Sequence, residues 1–171
     1  RRVLFRSIFL NLMLSMLAAI QESMGNASAA LANFQKTIRY EILAEGSPFC
    51  REVGKAHCEL GDFYVRQKRT ELALHEYQLA LQSVLKKFNP ANDLQNPSSE
   101  WFYEENTIIQ ALLGKARAFR TLHQLENALE CYELIPLVET KLRATHAYES
   151  SKLLALDESR ARFDEAISIA W

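Results

Sequence analysis

A small residue and a large one recur along this chain at a fixed separation, and that recurrence limits the fold more than any composition does. Leu60, Gly61, Tyr64, Ala73, Tyr77 and Ala80 set a leucine–small pair before an alanine, with an aromatic four residues beyond it. Leu17, Ala18, Ala30 and Phe34 repeat the arrangement, with Gly25 and Asn26 as the turn, and both leucines stand thirteen residues before their alanine. Small residues face each other where two antiparallel helices approach closely, and large ones fill the groove beside that contact, so each set predicts a helical hairpin. A third set is Leu113, Gly114, Ala128 and Tyr132, but Leu113 stands fifteen residues before Ala128. Its inter-helix turn around His123 and Gln124 is therefore expected to hold two residues more. Pro136 lies in its second helix, where it removes a hydrogen bond to the Tyr132 carbonyl and is expected to kink or end that helix.

The remaining elements follow from pattern. Leu153, Leu156, Phe163, Ile167 and Ala170 predict one amphipathic helix over about 151–171, which could open a fourth hairpin. Between the second and third sets, Phe88 to Ser99 collects Pro90, Pro97, Asn89, Asn92, Asn96 and Asp93 into the one long loop, ending in a Ser–Ser pair able to cap a helix near Glu100. Only 5 glycines and 4 prolines occur in 171 residues, too few for the turns of a β-sandwich or barrel. The expected fold class is all-α: an α-solenoid of antiparallel helix pairs over 8–171, with repeats at about 11–44, 54–87 and 107–142 and a C-terminal helix.

The ends carry expectations of their own. The chain opens on Arg1 and stops at Trp171 inside an apolar pattern, so a segment of a longer protein is expected. Residues 1–7 match nothing else in it and are expected to be a non-native or disordered leader. Arg1, Arg2 and Arg6 before the apolar run Ile8 to Ile20 have the order of a targeting segment. Asn11 and Ser15 interrupt that run, which falls short of a span of about 20 residues, and it pairs with the helix after it. A first repeat helix is the favoured reading and a targeting segment the other.

His57, Leu60, Gly61, Tyr64, Ala73, Tyr77 and Ala80 resemble a tetratricopeptide unit, the tryptophan and closing proline of that pattern being His57 and Leu85 here. From Leu79 onward the chain is similar to the repeat region preceding the peptidase domain of bacterial CHAT proteins. That likeness is carried by Leu85 to Pro97 (LKKFNPANDLQNP), Ala111 to Ala118 (ALLGKARA), Ala128 to Glu133 (ALECYE) and Tyr148 to Ala170. It implies a cytoplasmic regulatory or recognition array attached to a caspase-like cysteine peptidase further C-terminal. It carries no catalytic residue onto this chain.

Charge and motif narrow the chemistry. Net charge is -1 with 49% apolar residues, which indicates neither disorder nor a nucleic-acid surface. Cys50, Cys58 and Cys131 form no C-x-x-C pair, so neither a disulfide framework nor a zinc site is read from them, and a reducing compartment fits. His57 and Cys58 are neighbours, about 100° apart on a helix, and His123 and Cys131 are separated by a turn, so neither is expected to form a nucleophile pair. His75 and His146 are isolated. Glu100, Glu104 and Glu105 are explained by the positive end of a helix dipole, and Arg66 to Arg69 by a solvated turn. No phosphate-binding glycine loop occurs, and no cofactor, metal, nucleic acid or membrane partner is expected.

What remains is the concave surface, lined in such arrays by the first helix of each pair. The template places Ser15, Ala19 and Glu22 there, then Lys55, Cys58, Asp62 and Arg66, then Ile108, Ala111, Lys115 and Ala118. Repeat proteins that clasp a peptide carboxylate resemble one another in having Lys and Asn where this chain has Cys58 and Asp62, so that clamp is absent. The expected function is a non-catalytic scaffold for a partly apolar peptide or protein, or for an adjacent domain of the same polypeptide. A spacer without a ligand and, less favoured, a helical enzyme are the alternatives.

Overall fold

Three short turns of one geometry organise the chain. The computed structural model describes residues 2–145 and 149–170, with side chains described for 12–144 and 159–169. These residues form seven α-helices: α1 (Arg2–Ser23), α2 (Ala27–Glu45), α3 (Arg51–Arg66), α4 (Thr70–Val84), α5 (Asn106–Thr121), α6 (Leu125–Thr145) and α7 (Glu149–Ala170). Among the described residues there is no strand, and the protein is all-α. No helix among them is long and apolar enough to cross a membrane. Residues 2–7 belong to α1, while Arg1, His146 and Trp171, and the side chains of Leu153 and Leu156, lie outside the described ones.

Each hairpin turns on one residue in the left-handed region: Gly25 (φ 79°), Lys68 (φ 58°) and His123 (φ 59°). Just after it, the amides of Asn26, Arg69 and Gln124 donate to the carbonyls of Gln21, Tyr64 and Phe119 at 2.8, 2.8 and 2.9 Å. That bond spans from the third residue past the helix to its last turn, and it satisfies a carbonyl the helix would otherwise leave bare. Asn26 also caps α2, its side-chain oxygen accepting from the Ala29 amide at 3.2 Å.

These turns correct the expected register of the third hairpin. Its turn is no longer than the others, since three residues separate α5 from α6 as they separate α3 from α4. Aligned on Lys68 and His123, the places of Leu60 and Gly61 fall to Lys115 and Ala116, thirteen and twelve residues before Ala128. Ala116 and Ala128 are buried, as are Ala18 with Ala30 and Gly61 with Ala73. The extra length lies upstream, between α4 and α5. Gly114, like Gly61, lies against the ring of Tyr77, which reaches it from the preceding hairpin.

That upstream segment is folded down against the helices. Gln78 Nε2 donates to the carbonyls of Asn92 (3.0 Å) and Gln95 (2.9 Å), and Lys115 Nζ donates to Gln95 O at 2.9 Å and to Gln78 Oε1 at 2.6 Å. Ser98 caps only a single 3₁₀ turn, Ser99–Trp101. The long helix starts later than Glu100, where the Glu105 carboxylate accepts from the Thr107 amide at 2.9 Å and meets Arg51 of α3 at 3.2 Å. Pro136 does not end α6, which continues to Thr145. The core runs through the hairpins, with the Phe34 and Phe63 rings 5.4 Å apart where α2 meets α3. Each such side chain fully withdrawn from water contributes about 1.5–3 kcal/mol.

Candidate functional site

The first helices of the second and third hairpins stand side by side and leave a groove of about 630 Å³ between them. Lys55, Cys58, Asp62 and Arg66 of α3 form one wall, and Gln110, Leu113, Gly114 and Arg117 of α5 the other. The pairs Lys55 and Gln110, Cys58 and Leu113, Asp62 and Arg117 are each 55 residues apart, as are the two turn residues Lys68 and His123. Both walls therefore present the same positions of the repeat.

The four lining residues expected from α3 are brought together here, and the four expected from α5 are not. Ile108 and Lys115 are fully buried, as are Ala111 and Ala118, on the side of α5 turned away from the groove. The two-residue slip in register is the cause: Gln110, Leu113 and Arg117 hold the places the template gave to Ile108, Ala111 and Lys115. The signal that finds them is the turn, since matching His123 to Lys68 restores the alignment. Of the α1 residues, Ser15 and Leu12 border an adjoining cleft of about 470 Å³ with Glu52, Lys55 and Glu59, and Glu22 reaches Arg66.

Tyr77 of α4 is the floor. Its ring is wedged between two glycines: a Cβ on Gly61 would lie 2.7 Å from Cε1, and one on Gly114 would come closer still. Its hydroxyl donates to Asp62 Oδ1 at 2.6 Å. Burial, then the bond and charge of Asp62, raise the Tyr77 hydroxyl well above the usual phenol range, so it remains a protonated donor.

Ion pairs fasten the rims. Arg66 donates to both oxygens of Glu22 on α1 at 2.9 Å, and this bond holds the Glu22 carboxyl below its ordinary range against the opposing effect of burial. On the far side Arg117 Nη2 donates to Glu165 of α7 at 3.0 Å, and Arg120 approaches the same carboxylate at 3.2 Å. Burial pushes Glu165 up, but the two arginines outweigh it and the carboxyl stays low. The groove is thus of mixed charge, with Lys55, Arg66 and Arg117 against Glu59 and Asp62.

The thiols are placed for packing. Burial first, then the negative Asp62 and Glu59, push the Cys58 thiol far up, which suppresses the thiolate a nucleophile requires. Its neighbour His57 points elsewhere, with Nδ1 2.7 Å from Glu76 Oε2 on α4. Cys131 is fully buried, donates to Asn96 Oδ1 at 3.4 Å and is pushed up to about 11 by burial. Among the described residues, no three His, Cys, Asp or Glu side chains are grouped to hold a metal ion.

In comparisons with protein-family models, curated proteins and solved structures, nothing matches the chain.

Proposed function

We propose that the chain is a non-catalytic interaction scaffold of the tetratricopeptide kind, which holds an extended, partly apolar peptide in the groove between α3 and α5. One observation carries this reading: equal turns bring the same repeat positions onto both walls of a 630 Å³ groove, over a tyrosine floor that two glycines leave open. A concave, mixed surface with apolar Leu113 and Val65 beside Lys55, Asp62 and Gln110 suits a main chain with alternating side chains. By its resemblance to the repeats before CHAT peptidases, the proposed setting is cytoplasmic and bacterial, with the occupant a partner protein or a neighbouring domain of the same polypeptide.

The spacer reading draws on the rim ion pairs, because Arg66 and Arg117 are already engaged with Glu22 and Glu165. A phage-displayed library of random peptides, panned on the 171-residue chain, separates the two. Binders that are enriched on the wild type, and lost when Lys55, Asp62 and Arg66 are replaced together by alanine, support a scaffold. Equal enrichment on both proteins contradicts the groove as the site.

A further inference from the structure

Both arginines of the groove are gripped from outside it, and along one edge only. Arg66 reaches Glu22 of α1 through Nε and Nη2, each at 2.9 Å, and Arg117 reaches Glu165 of α7 through the same two nitrogens, each at 3.0 Å. Neither carboxylate lines the groove. Both are largely withdrawn from water, whereas the two arginine side chains are half-exposed. A guanidinium carries five N–H donors in one rigid plane, and these pairs leave the Nη1 group over. Among the described residues, Nη1 of neither arginine has a hydrogen-bond partner. The rim pairs that favour a spacer therefore engage only one edge of each guanidinium.

An arginine that turns freely must be immobilised when it grips a ligand, and that ordering weakens binding by about two- to tenfold. Glu165 removes the penalty in advance. It is itself steadied by Arg120, which does not line the groove and whose Nη2 lies 3.2 Å from Oε1. Arg117 is thus fixed on the α5 wall, a turn beyond Leu113 and Gly114, with donors to spare. Donors without acceptors of their own suit the carbonyl oxygens of an extended main chain.

We infer that Glu165 is a positioning residue of the groove: it holds Arg117 with Nη1 free for a carbonyl of the bound main chain, and a filled groove in turn tightens α7 against α5. This rests on the groove as the peptide site and gives a part in it to α7, which touches no ligand. Coupling of this kind is reciprocal, so the factor that Glu165 lends to binding is the factor that the bound peptide lends to the docking of α7.

The test uses the full chain and a phage-selected peptide whose binding is lost in the triple alanine variant of Lys55, Asp62 and Arg66. By fluorescence anisotropy, Glu165→Gln is expected to weaken that peptide about two- to tenfold. In an Arg117→Gln background the same substitution is expected to change affinity no further, because no guanidinium is left to hold. A second measurement needs no variant at 165. Amide exchange over 159–169 in the wild type is expected to slow when the peptide saturates the groove, and not to slow in Arg117→Gln. Affinity unchanged by Glu165→Gln overturns the inference and leaves the groove reading standing. Equal weakening in both backgrounds also overturns it, since α7 would then act through packing alone. So does wild-type exchange that the peptide leaves unaltered. Panning that yields no peptide dependent on Lys55, Asp62 and Arg66 removes the groove reading itself, and this inference falls with it.

Discussion

Tyr77 and Lys115 show how single residues set this structure's tolerances. Because the Tyr77 ring is held between Gly61 and Gly114 and its hydroxyl by Asp62, it has nowhere to swing when a methyl group is added. Gly114→Ala is therefore expected to cost about 1–3 kcal/mol by overpacking, read from urea denaturation, and Gly61→Leu the same or more. Lys68 sits in the left-handed region at the turn, so Lys68→Gly is expected to stabilise by about 0.5–1 kcal/mol, whereas Lys68→Ala changes stability by less than about 0.5 kcal/mol.

Lys115 stands where the other hairpins have leucine, and burial pulls its ammonium down to about 8, countered only in part by Cys131, Asp93 and Glu130. In the unfolded chain it holds its proton to about 10.4. The unfolded state thus binds more protons between those values, and stability rises with pH across that window. Stability measured at pH 7 and pH 10 is expected to rise for the wild type by more than for Lys115→Leu. An identical rise in both would mean that the ammonium is not buried in its charged form.

At the scale of elements, α7 is held to the array by carboxylates. Glu165 serves Arg117 and Arg120 of α5, while Glu139 of α6 accepts from Ser159 Oγ at 2.6 Å and pairs with Arg162. The Glu165 carboxyl is held low in the folded state, so its contribution is present above the ordinary carboxylate range and is lost as pH falls through the folded value. Hydrogen exchange over 159–169 is expected to be faster in Glu165→Gln than in the wild type, with α3 and α4 unaffected. Equal exchange in the two proteins would assign the docking of α7 to apolar contact alone.

The elements are also where the sequence was readable and where it misled. Leu17 to Ala30 and Leu60 to Ala73 share one separation, and Ala18, Ala30, Gly61 and Ala73 are all buried, with Gly61 lying against the Tyr77 ring. In the third hairpin a Leu–Gly pair happens to stand two residues before the true position, and that position is filled by a lysine, which no apolar pattern reveals. The lysine is tolerated because the long loop folds back to offer it Gln95 O, together with Gln78. From that one slip came the burial of Ile108 and Lys115 where groove residues were expected. Lys55, Cys58, Asp62 and Arg66 were legible because hairpin two matches the repeat pattern without insertion.

Over the whole molecule, helix pairs built on equal turns bring the first helices α3 and α5 side by side. The groove between them is the only feature described above that repeats the same positions on both walls. Its most direct test is the affinity of a library-selected peptide for the wild type and for Gln110→Trp, measured by fluorescence anisotropy. Gln110 is exposed on the α5 wall, so an indole there fills the groove without disturbing the core. Binding weakened at least about tenfold, equivalent to about 1.4 kcal/mol, with an unchanged melting temperature is the expected result. Undiminished binding to Gln110→Trp would contradict the assignment of the groove as the place where this chain grips its partner.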